Sequence, residues 1–269
     1  MPLKVAIAGL GAIGLKVARA LDEGKLPGLV LAAVSARDVE KAKRTLAGFK
    51  SPVPVVGLEA LPAMADVVVE CIPAAHFKTI ADATVGAGKI FMPLSVGQML
   101  SNMHLVDRAK ETGARILVPT GALVGLDAVR AVAEGTVHSV SIITRKPPGG
   151  LKGAPLLVEK GLSMDDVRAP LQVFAGSARD AIKGFPANVN VAVALSLAGI
   201  GPDRTRVEIW ADPTVTRNTH TIEVRSEVSD FTIQIAGVPS EENPATGKLT
   251  PLSVIAALRR LTAPIVVGT

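Results

Sequence analysis

One cysteine, one tryptophan and no tyrosine stand in a chain of 269 residues. The single thiol, Cys71, excludes an intrachain disulfide and a thiolate-rich zinc site, which fits a reducing compartment and makes the cytoplasm the expected location. Aromatic residues make up only 3% of the chain, so rows of exposed rings for stacking nucleobases are lacking and RNA or single-strand binding drops away. The basic excess is small too: 29 Lys and Arg against 24 Asp and Glu leave a formal +5. That is far from the dense basic blocks of nucleic-acid tails and suits small anions instead. Met1 to Leu10 carries one lysine and then turns glycine-rich, so neither a signal peptide nor a membrane span is expected. Neither nucleic acid nor membrane is therefore an expected partner.

Apolar residues, by contrast, are plentiful: 48% hydrophobic against 20% charged suffices for one or two packed domains. Short apolar runs at Val5 to Ala8, Leu29 to Val34, Asp66 to Ile72, Ile90 to Leu94 and Arg115 to Val118 read as strands buried on both faces. Between them, helical spacing appears at Ile13 to Leu21, Lys78 to Ala87 and Met103 to Thr112, while Val39 to Leu46 and Leu58 to Met64 read as helix or loop. This alternation predicts a doubly wound parallel sheet over roughly the first 120 residues, because parallel strands need crossovers.

The pattern then changes to period-two strands at Val137 to Thr144, Arg206 to Ala211, Thr219 to Arg225 and Phe231 to Val238, which predicts a second α/β domain on a mostly antiparallel sheet with one wet face. Helices are expected at Asn188 to Ala198, ended by Gly199, and at Leu252 to Leu261, stopped by Pro264. The expected division is 1–121 and 122–244, with 245–269 returning to the first domain.

Gly9-Leu10-Gly11-Ala12-Ile13-Gly14 follows the first strand and opens a helix. Gly9 permits the tight turn, Gly11 lets the backbone approach a pyrophosphate, and Gly14 lets helix and strand pack closely; the helix N-terminus at Ala12 and Ile13 then offers N–H groups to the phosphates. A dinucleotide is the expected ligand. About 20 residues beyond such a turn, sites that prefer NAD place an acid for the ribose hydroxyls. Here Ser35 stands in its place and Arg37 can pair with a 2′-phosphate, which points to NADP; the alternative leaves NAD in play, with Asp38 supplying the acid one turn late.

Four histidines are present. His76 follows a strand end on the side where such sheets bind ligands, whereas His104 and His138 read as solvated or packing residues. His220 lies after an Asp212-Pro213 turn, and Asn218 shares its strand face, so an amide and an imidazole can converge on one ligand. Exposed Asn and His on a sheet are equally ordinary. Asn188 reads as a helix cap that exposes donors to a carboxylate. Arg145 and Lys146 end a strand and suit either an anion or solvent, Cys71 reads as inert packing, and no metal set is present.

With the glycine turn, Thr120-Gly121-Ala122, Phe185-Pro186-Ala187-Asn188-Val189-Asn190, Ala198-Gly199-Ile200-Gly201-Pro202-Asp203, Asn218-Thr219-His220 and Glu242-Asn243-Pro244-Ala245-Thr246-Gly247 in view, the chain resembles the L-aspartate dehydrogenases nearly end to end. The resemblance implies a Rossmann domain, a second α/β domain whose sheet floors the active cleft, and a homodimer. It implies His220 as the catalytic residue, Asn188 and the backbone at Ala122 in contact with the nicotinamide cofactor, and L-aspartate as substrate, with oxaloacetate and ammonia on the other side of the reaction. Substrate carboxylates would then need Lys146, Arg145 or donors around Asn188 and Asn218. Many relatives carry an acid where this chain has Ser35 and Arg37, so strict NAD dependence is not expected. Two alternatives keep the same architecture: a dihydrodipicolinate-reductase-like or homoserine-dehydrogenase-like enzyme, and a silent NAD(P)-binding regulator.

Overall fold

A computed structural model describes residues 1–186, 189–243 and 246–268. The chain divides into two compact units, Met1–Gly121 with Thr250–Val266, and Ala122–Leu249 with Val267–Thr269. Among the described residues no helix is long and apolar enough to cross a membrane.

The first unit contains β1 (Leu3–Ala8), α1 (Ala12–Asp22), β2 (Leu29–Ser35), α2 (Val39–Leu46), α3 (Leu61–Met64), β3 (Val67–Glu70), α4 (Phe77–Gly86), β4 (Ile90–Pro93), α5 (His104–Thr112) and β5 (Arg115–Ile116). The strands lie in the order β2-β1-β3-β4-β5, and every pairing is parallel. Alternate residues of one strand feed two cores, as a sheet covered on both faces requires. Val5 and Ile7 pack with Val17 and Leu21 of α1, while Ala6 and Ala8 pack with Phe77 and Ile80 of α4. Phe77 and Phe91 meet edge to face, their centroids 5.6 Å apart. The chain leaves β1 for β2 on one side and returns to β3 on the other. This makes the carboxyl ends of β1 and β3 the switch point, where open α/β sheets bind ligands.

The second unit contains α6 (Leu126–Ala133), β6 (Val137–Lys146), α7 (Pro155–Glu159), β7 (Leu171–Ser177), α8 (Ala178–Gly184), α9 (Asn190–Ala198), β8 (Thr205–Ala211), β9 (Thr219–Ser226) and β10 (Phe231–Ala236). Its sheet runs β10-β9-β6-β8-β7, antiparallel except for the β6–β8 pair. Val140, Ile142, Val207, Ile209, Ile222 and Val224 are buried on one face. Helices α6 and α9 close over that face: a methyl group added at Gly199, just beyond α9, would lie 3.1 Å from Val129 of α6 and 3.7 Å from Val140 of β6. Arg179 of α8 grips the turn before β8 with a bidentate pair to Asp203.

The last helix, α10 (Leu249–Arg260), belongs from Thr250 onward to the first unit. There Val254 and Leu258 enter the core beside α1, Ser253 accepts from the Gly121 N–H at 3.1 Å, and Thr262 donates to the Pro27 carbonyl at 2.8 Å.

Candidate active site

The glycine turn begins where β1 ends. Gly9 has φ +98°, and a side chain there would strike the Cys71 carbonyl at 2.5 Å. Its N–H donates to the Ser35 carbonyl at 2.7 Å, tying the turn to β2. A Cβ at Gly14 would come within 1.9 Å of the Gly9 carbonyl, so helix and turn touch backbone to backbone.

Gly11 differs: it caps α1 without a side-chain hydrogen bond, and a Cβ there would meet nothing within 4 Å. The fold's own packing therefore demands glycine at 9 and 14 and leaves the space over Gly11 open. Ala12 and Ile13 open the helix, whose first N–H groups lack intrahelical partners. This geometry fits a dinucleotide pyrophosphate.

At the end of β2, Ser35 is buried and Arg37 is exposed. Asp38 has a task of its own, since its carboxylate caps α2 by accepting from the Lys41 N–H at 2.9 Å.

One residue of this unit escaped the sequence reading. Glu70, at the end of β3, is fully buried and accepts from the N–H groups of Ile72 (3.0 Å), Leu94 (3.1 Å) and Ser95 (2.9 Å) and from the Ser95 hydroxyl (3.0 Å). It stitches the carboxyl ends of β3 and β4 together beside the switch point. Burial raises its pKa against the pull of those donors. The available signal was an acid inside an apolar run, which must find partners once buried. Burial, then Glu70, push the Cys71 thiol up, which agrees with an inert packing role. His76 is exposed in the turn leading to α4, and His104 and His138 are exposed as well.

In the second unit His220 lies on the dry face of the sheet. Residues 220, 222 and 224 share the helix-covered face, and His220 is 5% exposed. Its register partner on β6 is Thr144, whose Oγ1 lies 3.0 Å from the ring Nδ1. Lys146, next but one along β6 and therefore on the same face, is also buried. Burial, then the charge of Lys146, lower the imidazole to about 4. Burial lowers the Lys146 ammonium to about 8. A neutral ring thus shares a dry face with a side chain that is still cationic at neutral pH.

Arg145 points the other way: it stacks 4.8 Å over the Trp210 ring and pairs with buried Asp212 at 3.0 Å. The structure so separates two neighbouring cations that the sequence reading had grouped. Asn218 is half-buried just ahead of β9, its carbonyl accepting from the Gly237 N–H at 2.9 Å. Ala122 is half-buried at the start of the second unit. Asn188 lies outside the described residues, and α9 begins at Asn190 with Val189 in the capping position.

Known proteins are similar to this chain over its length. Residues 127–261 match the family described as "Aspartate dehydrogenase, C-terminal", and residues 9–119 match "Homoserine dehydrogenase, NAD binding domain". L-aspartate dehydrogenase of Bradyrhizobium diazoefficiens is 55% identical over 267 residues, 99% of this chain and 94% of its own. L-aspartate dehydrogenase 3 of Bordetella bronchiseptica is 52% identical over 99% of this chain and 98% of its own. Among solved structures, aspartate dehydrogenase from Thermotoga maritima covers both chains completely with a TM-score of 0.75 at 25% identity. GenD2 in complex with NAD, at a TM-score of 0.54 and 18% identity over 99% of this chain and 89% of its own, shares the fold. A parallel sheet opening on a pyrophosphate turn, joined to this second unit, defines a dehydrogenase that uses NAD or NADP. Within that class, likeness over the whole length decides the matter: the chain belongs to the L-aspartate dehydrogenase family.

Proposed function

We propose that this protein catalyses the NAD(P)-dependent oxidative deamination of L-aspartate through iminoaspartate to oxaloacetate and ammonia, or the reverse amination. The observation that carries the proposal is identity above half to L-aspartate dehydrogenases over 99% of the chain. The first unit serves as the dinucleotide domain, with Gly9, Gly11, Ala12, Ile13 and Gly14 against the pyrophosphate, and the second as the substrate and dimerisation domain, with Ala122 and Asn188 as further cofactor contacts. A dinucleotide held by this turn would supply a nicotinamide as acceptor for the Cα hydride of the substrate. His220 handles the accompanying proton, either from the substrate amine as the imine forms or from the water that attacks it. A ring that is neutral at pH 7 is ready for either task. Lys146 meets a substrate carboxylate with its charge, and Asn218 and Asn188 supply amide donors.

Ser35 and Arg37 support acceptance of NADP. Arg37→Ala should weaken NADPH binding about tenfold or more while changing NADH affinity little; equal loss of both in a binding titration would reject this. The second face of the mixed sheet, with Ile143 and Trp210 half-buried, favours a homodimer with a second copy of the chain, to be measured by light scattering after gel filtration. A cytoplasmic setting suits both the substrates and the single thiol.

The decisive assay is oxidation of NADPH or NADH with oxaloacetate and ammonia. Oxidation of aspartate but not homoserine, with no reduction of a cyclic dihydropicolinate, supports the proposal. Cofactor binding without turnover on any of them would leave a regulator in its place.

A further inference from the structure

The imidazole of His220 has two nitrogens, and the chain itself engages Nδ1. Thr144 and His220 face each other across the β6–β9 ladder, both buried, with Oγ1 and Nδ1 3.0 Å apart. Behind them the same face continues as Ile142 opposite Ile222 and Val140 opposite Val224, which give the ring no polar partner. On the other side along β6 stands Lys146, whose charge disfavours a second proton on the ring.

The resting imidazole is therefore neutral and carries one proton, and the partner of one nitrogen selects the tautomer. A threonine hydroxyl can donate or accept. If it donated to Nδ1, the ring proton would sit on Nε2 and no lone pair would remain for a substrate. If it accepts from Nδ1–H, Nε2 is a base.

We propose that Thr144 is a positioning residue: its hydroxyl oxygen accepts the Nδ1 proton of His220, fixing the ring plane and leaving the lone pair on Nε2, the nitrogen that exchanges the proton with substrate or water. The inference rests on His220 being the proton-handling residue proposed above. In the step itself, Nε2 takes one proton from the substrate amine or the attacking water, the ring becomes imidazolium with Nδ1–H still held by Thr144, and the same proton later leaves from Nε2.

The test uses the full-length protein with 15N-labelled histidine, because nitrogen shifts report the tautomer without turnover. The wild-type His220 should show the Nδ1–H form at neutral pH. Thr144→Val, close to isosteric, should shift the ring towards Nε2–H and lower kcat about tenfold or more, with KM for aspartate and cofactor affinity within about twofold. Thr144→Ser should restore both the tautomer and kcat, which a mere packing role for the methyl group would not give. A wild-type ring protonated at Nε2, or a Thr144→Val enzyme with unchanged kcat and tautomer, overturns the inference. Should Thr144→Val fail to fold, the wild-type spectrum and the serine variant still decide. The outcome is separable from that of the underlying proposal: full turnover by His220→Ala would remove the role of the ring, whereas an inactive His220→Ala beside a fully active Thr144→Val removes only that of Thr144.

Discussion

Placing Lys146 on the dry face that holds His220 is costly, since burial disfavours its ammonium, and that charge in turn disfavours a proton on the ring. With a folded pKa of about 8 against 10.5, the penalty is fully present below pH 8, is relieved progressively as the pH rises from 8 towards 10.5, and is gone above it. It amounts to on the order of a few kcal/mol. Lys146→Met should therefore leave stability at pH 7 unchanged or higher in urea titrations. It should also raise the His220 pKa from about 4, part of the way only, because burial is the larger cause; NMR titration of the ring measures this. The same variant should raise KM for aspartate by about tenfold or more. A destabilised variant with an unmoved His220 would contradict this reading. At the residue scale the sequence exposed His220 through its motif and family likeness but concealed its partner. Thr144 lies 76 positions away, and register between distant strands is set by tertiary pairing that local pattern does not encode. Adjacency misled for Arg145 and Lys146, because neighbours on a strand face opposite ways.

At the scale of elements, the three glycines of the turn do different work. Gly14→Ala forces a methyl group to within 1.9 Å of the Gly9 carbonyl, so α1 must move and the unit loses about 1–3 kcal/mol. Thermal unfolding should register the loss, and dinucleotide affinity should fall with it. Gly11→Ala puts its methyl group into open space at a φ of −78°, so stability should hold while affinity for NADPH drops about tenfold or more, because the pyrophosphate needs that space. A Gly11→Ala protein with native affinity would show that the space serves no ligand. The turn was readable because its physics is local, and so were the five parallel strands, whose continuous apolar runs need only burial on both faces. The edge strand β7 was not foreseen. Leu171 and Gln172 are exposed and only Val173 is fully buried, so the period-two signal that marked its neighbours is missing. The short helices α6, α7 and α8, none longer than 8 residues, also fell below what periodicity resolves.

At the scale of the whole molecule, the chain divides into two units, and that division follows a change of pattern along the sequence, from parallel runs with crossovers to alternating strands. What the pattern could not convey is which helices cover the dry face of the second sheet, and that Thr144 and Lys146 of a distant strand stand on that face with the imidazole. The proposed division makes chemistry and dinucleotide binding separable by mutation, since the ring is in the second unit and the pyrophosphate turn in the first. The measurement that tests this most directly is kcat for aspartate oxidation by His220→Ala, taken together with its affinity for NADPH. The account predicts a fall in kcat of at least tens of fold, on the order of 10²-fold for a lost proton-transfer group, with cofactor affinity within about twofold of wild type. Turnover retained at the wild-type rate by a correctly folded, cofactor-binding His220→Ala protein would contradict it.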